Sequence, residues 1–406
     1  MEFIAVIYFV YMFISFYLLT MTLLLYFRNR DKIFEIPKIT KFYSISVLIP
    51  AHNEEKTIED SVKSIYNVDY PNIKEVIVIN DGSTDNTMQI VKKLLPKYKN
   101  LRLINKENTG KADSLNRVIK LCKGDLIVVL DADSYPAKDS FRKMIGFFDD
   151  SEVGAVTCAC TPRNRNNFIE KLQAIEYKGI AFTRKLLEFI DAIYVVPGTA
   201  AMYRREAIQK SGFDPKNITE DIEATWHLIK NGWKIRMCLA ASVTTEVPSR
   251  IKEWYGQRRR WSVGGIQCIN KYKDTIIKRG KLGFFILPFF AVGLFLGLIG
   301  VALFVYIMGS RLVSSYLIAH YSIETNVPII TMNELYITPS VLNYFGIILF
   351  ALFLIFNMFV LAVMKDRLFE KQSFFNLLFY MTIYLLVYPL VLVESSWHFL
   401  TGRKKW

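Results

Sequence analysis

Four short polar clusters in the middle of this chain carry residue types suited to chemistry on phosphate and hydroxyl groups. In chain order they are Asp81-Gly82-Ser83, Asp131-Ala132-Asp133, Thr219-Glu220-Asp221 and Gln257-Arg258-Arg259-Arg260-Trp261. Two carboxylates separated by one residue can hold a divalent cation such as Mg²⁺ or Mn²⁺, which neutralises a leaving diphosphate. A separate carboxylate can remove the proton from an attacking hydroxyl group. Together the clusters predict the transfer of a group from a diphosphate-bearing donor to a hydroxyl acceptor.

The first two clusters have ordinary alternatives that the sequence leaves open. Asp-Gly is a common turn dipeptide, and an isolated Asp-x-Asp pair is more often a turn or a cap than a metal site. Both clusters, however, directly follow apolar runs that are typical of buried strands. At such a strand end, Asp81 can accept hydrogen bonds from a base or a ribose, and Gly82 lets the backbone turn close to a ligand. Asp131 and Asp133 are then the predicted metal ligands.

Three further features favour the binding of phosphate and sugar. Lys111 opens a predicted helix, where its ammonium group can meet a phosphate, although a surface lysine is an equal alternative. Asp221 and Glu220 are the candidates for the general base, but Thr219 and Asp221 are also residue types that cap helices. In the last cluster, guanidinium groups can bind phosphate and the indole can stack on a sugar ring. The alternative there is a basic anchor at the membrane surface.

Alternating strands and helices must position these clusters. Apolar runs predict strands over 45–50, 75–80, 101–105 and 126–130, and helical spacing predicts helices over 54–66, 84–95 and 112–120. Ser83 or Thr84 is the expected cap of the second helix. This alternation predicts an α/β fold with a mostly parallel sheet, and ligands bind at the carboxyl ends of such strands. The polar residues after three of the strands should therefore lie close together.

Four apolar runs predict a membrane part. Mean hydropathy is +0.23, and aromatic residues make up 14% of the 406-residue chain. The runs 3–27, 283–308, 341–364 and 374–393 contain no charged side chain. Each is about long enough to cross a hydrocarbon core of roughly 30 Å. Basic residues follow the first run, which indicates a signal anchor with an outside N-terminus and a cytoplasmic polar segment.

The resulting division has five regions. They are an N-terminal transmembrane helix (1–27), a linker (28–44), a catalytic domain (45–249), an amphipathic interfacial segment holding the last cluster (250–281) and a transmembrane region (282–406). The net charge is +14, but much of the basic charge flanks the apolar runs, so membrane lipids and a diphosphate substrate explain it better than nucleic acid. The five cysteines, an odd number within the polar segment, favour a reducing compartment.

The order and spacing of the clusters resemble the membrane-embedded, processive family-2 glycosyltransferases, which include the cellulose, chitin, hyaluronan and poly-N-acetylglucosamine synthases. The resemblance covers about residues 45–265 and includes the Gln-x-x-x-Trp arrangement of the last cluster. It implies a GT-A (Rossmann-like) domain beside an α-helical transmembrane bundle, in a multi-pass protein of the cell membrane. It also implies inverting transfer from a UDP-sugar, with Mg²⁺ or Mn²⁺, to a growing polysaccharide that passes across the membrane.

The resemblance implies roles for particular residues. Asp221 is the expected general base, with Glu220 beside it, and Asp131 and Asp133 are expected to bind the diphosphate and its metal. The residues expected to bind the nucleotide are Ala51, Asn53, Glu54, Asp81, Ser83, Lys111 and Asp131. Those expected to contact the acceptor or the diphosphate are Gly198, Thr199, Gln257, Arg258, Arg259, Arg260 and Trp261.

Several alternatives remain beside this expectation. The length and the single N-terminal helix are closest in layout to poly-N-acetylglucosamine synthase, which makes UDP-N-acetylglucosamine one candidate donor. A non-processive enzyme acting on a ceramide or polyprenyl phosphate is the nearest rival, and a catalytically inactive nucleotide-binding membrane protein is another. A fourth span at 374–393 would place 403–405 outside, against the preference of basic residues for the cytoplasm. Either that segment does not fully cross, or part of 312–340 enters the membrane.

Overall fold

A single eight-stranded sheet forms the centre of the polar part of the chain. The computed structural model describes residues 2–278, 280–325, 341–364 and 374–402. The strand order in the sheet is β3-β2-β1-β4-β7-β6-β8-β5. The strands are β1 (Ile45–Ala51), β2 (Ile73–Asp81), β3 (Leu101–Lys106), β4 (Leu126–Val129), β5 (Ser134–Pro136), β6 (Val153–Pro162), β7 (Ala201–Arg204) and β8 (Lys234–Thr245).

The four strands that the sequence predicted pair in parallel. Strands β1, β2, β3 and β4 run parallel to one another, and β6 is parallel to β8. The pairs β4–β7, β6–β7 and β5–β8 are antiparallel. All seven residues of β1 are buried, as expected for a strand covered by helices on both faces. The predicted α/β fold with a mostly parallel sheet is confirmed.

Helices cover both faces of the sheet and continue into a helical region. On one face, α2, α3 and α5 contribute to one apolar cluster; on the other, α4, α6, α7 and α8 contribute to a second. The helices are α1 (Glu2–Asn29), α2 (Ile58–Tyr66), α3 (Thr87–Leu94), α4 (Lys111–Ile119), α5 (Ser140–Ile145), α6 (Phe168–Glu188), α7 (Arg205–Ser211), α8 (Glu220–Lys230), α9 (Ile251–Tyr272), α10 (Leu287–Thr325), α11 (Val341–Val363), α12 (Phe374–Phe379) and α13 (Leu385–Leu400).

Two predicted helices begin later than expected, because the preceding residues bond to each other across the sheet edge. Asn53 adopts a positive φ of 58°, and its backbone N–H donates to Ser83 Oγ at 3.0 Å. The backbone N–H of Thr84 in turn donates to Asn53 Oδ1 at 2.8 Å. The predicted cap of α3 was therefore wrong: Asp85 Oδ1 accepts from the Thr87 N–H at 3.0 Å. The loops after β1 and β2 are locked together by these contacts.

Helix α9 lies against protein along much of its length. Trp254 is only 2% exposed, and its indole N–H donates to the hydroxyl of Tyr384 at 2.6 Å. Tyr272 is 3% exposed and donates to Glu223 of α8 at 2.7 Å. Both rings pack between the sheet domain and the apolar helices, and the interfacial placement of the segment 250–281 stays a prediction.

Within the described residues, three apolar helical segments are long enough to cross a membrane. They are Ala5–Lys32, Leu282–Thr325 and Phe375–Leu400, and a shorter apolar helix covers Ile347–Val363. A π-helical turn at Tyr380–Tyr384 joins α12 to α13, and another at Leu282–Ile286 precedes α10. Residues 326–340 and the basic residues 403–405 lie outside the described residues, so the side of the membrane expected for 403–405 and the possible entry of part of 312–340 into the membrane stay predictions.

Candidate active site

Two adjoining cavities meet at the carboxyl ends of the central strands. The first, here called the sheet-edge cavity, has a volume of about 400 Å³. The second, here called the helix-lined cavity, has a volume of about 420 Å³ and reaches residues of α6, α9, α10 and α13. Four side chains line both cavities: Lys111, Asp131, Asp133 and Arg260. The predicted motifs of the sheet and of α9 therefore come together at one charged junction.

Asp81 is fixed at the wall of the sheet-edge cavity. It is 4% exposed, and its carboxylate accepts from the backbone N–H groups of Thr109 (3.0 Å) and Gly110 (2.9 Å) as well as from Lys106 Nζ. Burial raises its pKa, but these hydrogen bonds and the Lys106 charge outweigh burial and lower it. Asp81 is therefore ionised and rigidly oriented.

The turn after Asp81 requires glycine. Gly82 has a φ of +66°, and a Cβ atom there would lie 2.6 Å from the backbone nitrogen of Asn108. Asn108 itself lines the sheet-edge cavity. A side chain at position 82 would push this wall outward, which explains the Asp-Gly pair at the strand end.

The other residues predicted to bind a nucleotide divide into two groups. Ala51 and Glu54 line the sheet-edge cavity. Asn53 and Ser83 instead join the β1 and β2 loops through their mutual hydrogen bond. His52, which the sequence analysis did not single out, also lines this cavity, and its Nδ1 lies 2.8 Å from the carbonyl oxygen of Asp81. Its position directly after β1 could have indicated this role, because ligands bind at the carboxyl ends of such strands.

Lys111 connects the two carboxylate clusters. Its Nζ lies 2.7 Å from Asp131 Oδ1 and 2.7 Å from Glu220 Oε1. Burial alone would lower the pKa of Lys111, but the two carboxylates outweigh burial and raise it. Burial likewise raises the pKa of Glu220, and the Lys111 charge outweighs it and lowers the pKa. Gly198 permits this contact, because a Cβ atom there would lie 2.8 Å from Lys111 Nζ.

Asp131 and Asp133 form the predicted carboxylate pair at the junction. Burial, the charge of Asp131 and the charge of Glu54 raise the pKa of Asp133 to about 7. Asp133 Oδ1 lies 3.2 Å from the hydroxyl of Ser134 and 3.3 Å from that of Thr245. Within the described residues, no group of three or more His, Cys, Asp or Glu side chains forms a complete metal site. The pair can supply two ligands, and further ligands would have to come from a substrate or water.

Asp221 lies on the wall of the helix-lined cavity, beyond the junction. Burial and the neighbouring Glu220 charge raise its pKa to about 6. The capping interpretation fails for Thr219, the residue that precedes α8, because its side chain makes no capping hydrogen bond. Within the described residues, the Asp221 side chain accepts one hydrogen bond, from the backbone N–H of Ile222 to Oδ1 at 2.9 Å. Asp221 thus retains acceptor capacity facing the cavity.

Helical geometry separates the residues of the last cluster. Gln257, Arg260 and Trp261 share one face of α9 and line the helix-lined cavity, as spacings of three and four residues require. Arg258 points elsewhere: its side chain is fully buried and binds Glu176 at 2.7 Å. Arg259 Nη1 binds Glu394 of α13 at 2.8 Å. The structure thus brings three of the five predicted residues to the cavity wall.

Additional residues complete the helix-lined cavity. Gly198 and Thr199, predicted to lie near an acceptor, line it. Tyr177 and Arg184 of α6 also line it, as does Tyr194. Sequence reasoning missed Tyr177 and Arg184 because helical spacing alone does not reveal which polar residue of α6 faces a cavity. It missed Tyr194 because this residue lies in the connection between α6 and β7, which carries no motif.

Comparison with known proteins identifies the central segment. Residues 46–212 match the family described as Glycosyl transferase family 2. The chain is 31% identical to the poly-beta-1,6-N-acetyl-D-glucosamine synthase of Staphylococcus aureus (strain COL) over 254 residues, which cover 62% of this chain and 61% of that protein. The matched part thus spans about three fifths of that relative. The protein of the same name from Staphylococcus epidermidis is 28% identical over 368 residues, covering 86% of this chain and 82% of that protein.

A solved structure shares the fold over nearly the whole chain. It is the mannosyltransferase PcManGT from Pyrobaculum calidifontis in complex with GDP-Man and Mn²⁺, with a TM-score of 0.63 and 20% identity. The comparison covers 99% of both chains. At this level of identity the likeness concerns the fold, and it confirms the predicted GT-A type of architecture with its attached apolar helices.

Proposed function

We propose that the protein is an inverting membrane glycosyltransferase, because residues 46–212 match the family described as Glycosyl transferase family 2. It transfers a sugar from a UDP-sugar to a hydroxyl group of a growing polysaccharide. It passes the product across the membrane, and its catalytic domain lies in the cytoplasm. UDP-N-acetylglucosamine is the first candidate donor, because the two relatives described above are named for a polymer of N-acetyl-D-glucosamine.

The observation that carries this proposal is the arrangement of two cavities around one charged junction. The sheet-edge cavity contains the ionised Asp81 and suits a nucleoside. The junction holds Lys111, Asp131, Asp133 and Arg260 and suits a diphosphate. Asp221 lies on the wall of the second cavity, where an acceptor can approach the sugar from the side opposite the leaving diphosphate. Direct displacement from that side inverts the anomeric centre.

The residues at the junction fit a divalent cation. Burial, together with the negative charges of Asp131 and Glu54, raises the pKa of Asp133 to about 7, and a cation would stabilise the ionised carboxylates there. Asp131 and Asp133 would hold Mg²⁺ or Mn²⁺, both of which prefer oxygen ligands. The ion would neutralise charge on the leaving diphosphate.

The chain's own side chains then have separate tasks. Lys111 and Arg260 contribute positive charge beside the diphosphate. Lys111 also forms an ion pair with Glu220 and keeps that carboxylate ionised. Asp221 accepts the proton of the attacking hydroxyl group, a task for which a raised pKa near 6 is well matched to neutral pH. Trp261 and Gln257 line the same cavity and can position the acceptor sugar.

The walls of the helix-lined cavity support a membrane-directed product. Phe290 belongs to α10 and Tyr388 to α13, and both helices lie within segments long and apolar enough to cross a membrane. An acceptor held at Trp261 would therefore face membrane helices from the start. A lipid acceptor would use the same opening, so the size of the product decides between polymer synthesis and a single transfer.

The test uses the purified full chain in detergent with a panel of UDP-sugars and either Mg²⁺ or Mn²⁺. We expect UDP release with one donor, a ladder of polymer products, and loss of both on chelation of the metal. Asp221→Asn should lower the turnover rate by about 10² to 10⁴-fold while UDP binding persists. A single sugar added to lipid would favour the non-processive enzyme. UDP binding without transfer from any donor would favour the inactive nucleotide-binding protein and overturn the proposal.

A further inference from the structure

An arginine that forms no ion pair with any described residue lies in the wall of the helix-lined cavity. Arg184 of α6 is 8% exposed and lines that cavity. Its Nε is buried without a hydrogen-bond partner. Within the parts of the chain that the structure describes, no ion pair involves its guanidinium group. An arginine remains charged under all ordinary conditions. Asp221 lines the same cavity and acts on this charge from a distance, but it forms no ion pair with Arg184, so donors of the buried guanidinium group stay available to a ligand.

A second buried arginine shows how the same region satisfies such a charge. Arg258 of α9 is 1% exposed, and Glu176 of α6 binds it through both carboxylate oxygens, at 3.1 and 2.7 Å. The fold thus provides a matched carboxylate for Arg258, whose side chain lies outside the cavity lining. Arg184 lies in the cavity lining and receives none, which indicates that its partner arrives with a ligand.

The surroundings of Arg184 define the chemistry of that ligand. Cys160, Tyr177 and Tyr194, which line the same cavity, are groups that stay neutral at physiological pH, because burial raises the pKa of each. The planar guanidinium fork is suited to oxygen atoms of a carbonyl or carboxylate group. The diphosphate already has Lys111 and Arg260 at the junction, so the remaining group belongs to the sugar.

We propose that Arg184 is a specificity residue that binds a carbonyl-type oxygen on the transferred sugar, either the acyl oxygen of an N-acyl amino sugar or the carboxylate of a uronic acid. This inference rests on the proposed function. It assigns selection for such sugars, and against simple hexoses, to one side chain on α6. The hexose lacks the acceptor group, and binding it leaves the buried guanidinium unsatisfied.

The experiment measures UDP-sugar affinity and transfer for the full chain in detergent with a saturating divalent metal. The donors are UDP-glucose, UDP-N-acetylglucosamine and UDP-glucuronate, and UDP alone is the reference ligand for affinity. The variants are Arg184→Met, which keeps side-chain length without donors, and the control Arg142→Met. Arg142 is partly exposed and pairs with Asp69, and neither residue lines either cavity. Wild type should prefer one of the two carbonyl-bearing donors over UDP-glucose by roughly tenfold or more in affinity and in kcat/KM.

Arg184→Met should abolish that preference while the affinity for UDP changes by less than about twofold, a readout that also verifies folding. Preference for UDP-N-acetylglucosamine would identify the acyl oxygen, and preference for UDP-glucuronate the carboxylate. Wild type that transfers all donors equally, or a variant that retains the preference or loses UDP and every donor to the same degree, would overturn the role of Arg184. A wild type that binds UDP-sugars but transfers none would instead contradict the proposed function, since the affinity comparison would still test Arg184.

Discussion

Two adjacent carboxylates, Glu220 and Asp221, differ because only one of them reaches a cation. Glu220 Oε1 lies 2.7 Å from Lys111 Nζ, and that contact lowers the pKa of Glu220 against the effect of burial. Asp221 has no such partner within the described chain, so burial and the Glu220 charge raise its pKa to about 6. A carboxylate with a raised pKa binds a proton more readily. Of the two residues, Asp221 is therefore the better general base.

The pH dependence of transfer should report the pKa of Asp221. Below about pH 6 Asp221 is protonated and cannot accept the hydroxyl proton, so the rate should rise about tenfold per pH unit up to that point and level off above it. If Asp221 had the pKa of an ordinary aspartate, the rate would instead level off near pH 4. The measurement is kcat against pH, with donor and metal saturating so that binding steps do not limit the rate.

Glu220→Gln provides the internal check on that assignment. It removes a negative charge beside Asp221 and should lower the pH at which the rate levels off, because that charge is one cause of the raised pKa of Asp221. If the rate of the wild type levels off near pH 4, or if Glu220→Gln levels off at the same pH as the wild type, another group controls the rate.

Among the elements, helix α9 packs closely against Thr219, the residue that precedes α8 and its first-turn residue Asp221. A Cβ atom at Gly264 would overlap the Thr219 side chain, whereas a Cβ atom at Gly256 of the same helix would meet no atom within 4 Å. Gly264→Ala should therefore displace α9 or the Thr219 loop and lower kcat by about tenfold or more, since misplacement by about 1 Å can cost 10²-fold.

Gly256→Ala is the matched control for this substitution. Alanine has the higher helix propensity, so the control should keep its activity and gain about 0.5–1 kcal/mol of stability. The comparison uses kcat and the thermal unfolding midpoint of both variants in one detergent. Equal activity of the two variants would mean that the close approach of α9 to Thr219 does not position Asp221.

A buried ion pair fixes α9 against α6 and α13. Glu176 of α6 binds Arg258, accepts from the hydroxyl of Tyr384 at 2.5 Å, and is 4% exposed. Arg258 also lies 4.2 Å from the ring centroid of Trp261. Glu176→Gln should lower the free energy of unfolding by about 3 kcal/mol or more, because it leaves the Arg258 charge buried without its carboxylate.

The ion pair between Arg259 and Glu394 offers the contrast, because Glu394 is 33% exposed. Glu394→Gln should cost less than about 1 kcal/mol, as partly exposed pairs usually do. Chemical unfolding of both variants in the same detergent measures the difference. Similar losses for Glu176→Gln and Glu394→Gln would contradict the view that burial of the Arg258 pair stabilises this junction.

The elements that the sequence predicted well are those whose signal is local. Strands β1, β2 and β4 are short apolar runs followed by polar residues, and that pattern placed Asp81 and Asp131 at one sheet edge. The contacts that decide the remaining roles are not local. The sequence does not show that Arg258 and Arg260 have different roles, because the difference depends on the contact of Arg258 with Glu176, 82 residues earlier in the chain. Arg184 gave no signal, because its cavity is assembled from segments far apart in sequence.

For the whole molecule, the length of one helix indicates on which side of the membrane its far end lies. The continuous helical segment Leu282–Thr325 has 44 residues, or about 66 Å at roughly 1.5 Å per residue. A hydrocarbon core is roughly 30 Å thick, and the first part of the segment, 283–308, carries no charge. The remainder carries Arg311, His320 and Glu324 and would extend beyond the membrane, on the side opposite the catalytic domain.

Single introduced cysteines can test this arrangement, because all five native cysteines are buried and free. Lys93→Cys marks an exposed position on α3 of the catalytic domain, and Glu324→Cys marks an exposed position near the end of α10. A membrane-impermeant maleimide should label Glu324→Cys in intact cells and Lys93→Cys only after permeabilisation, while the native chain stays unlabelled. Labelling of both positions from the same side would mean that α10 does not cross the membrane, and the proposed path of the product between α10 and α13 would fail with it.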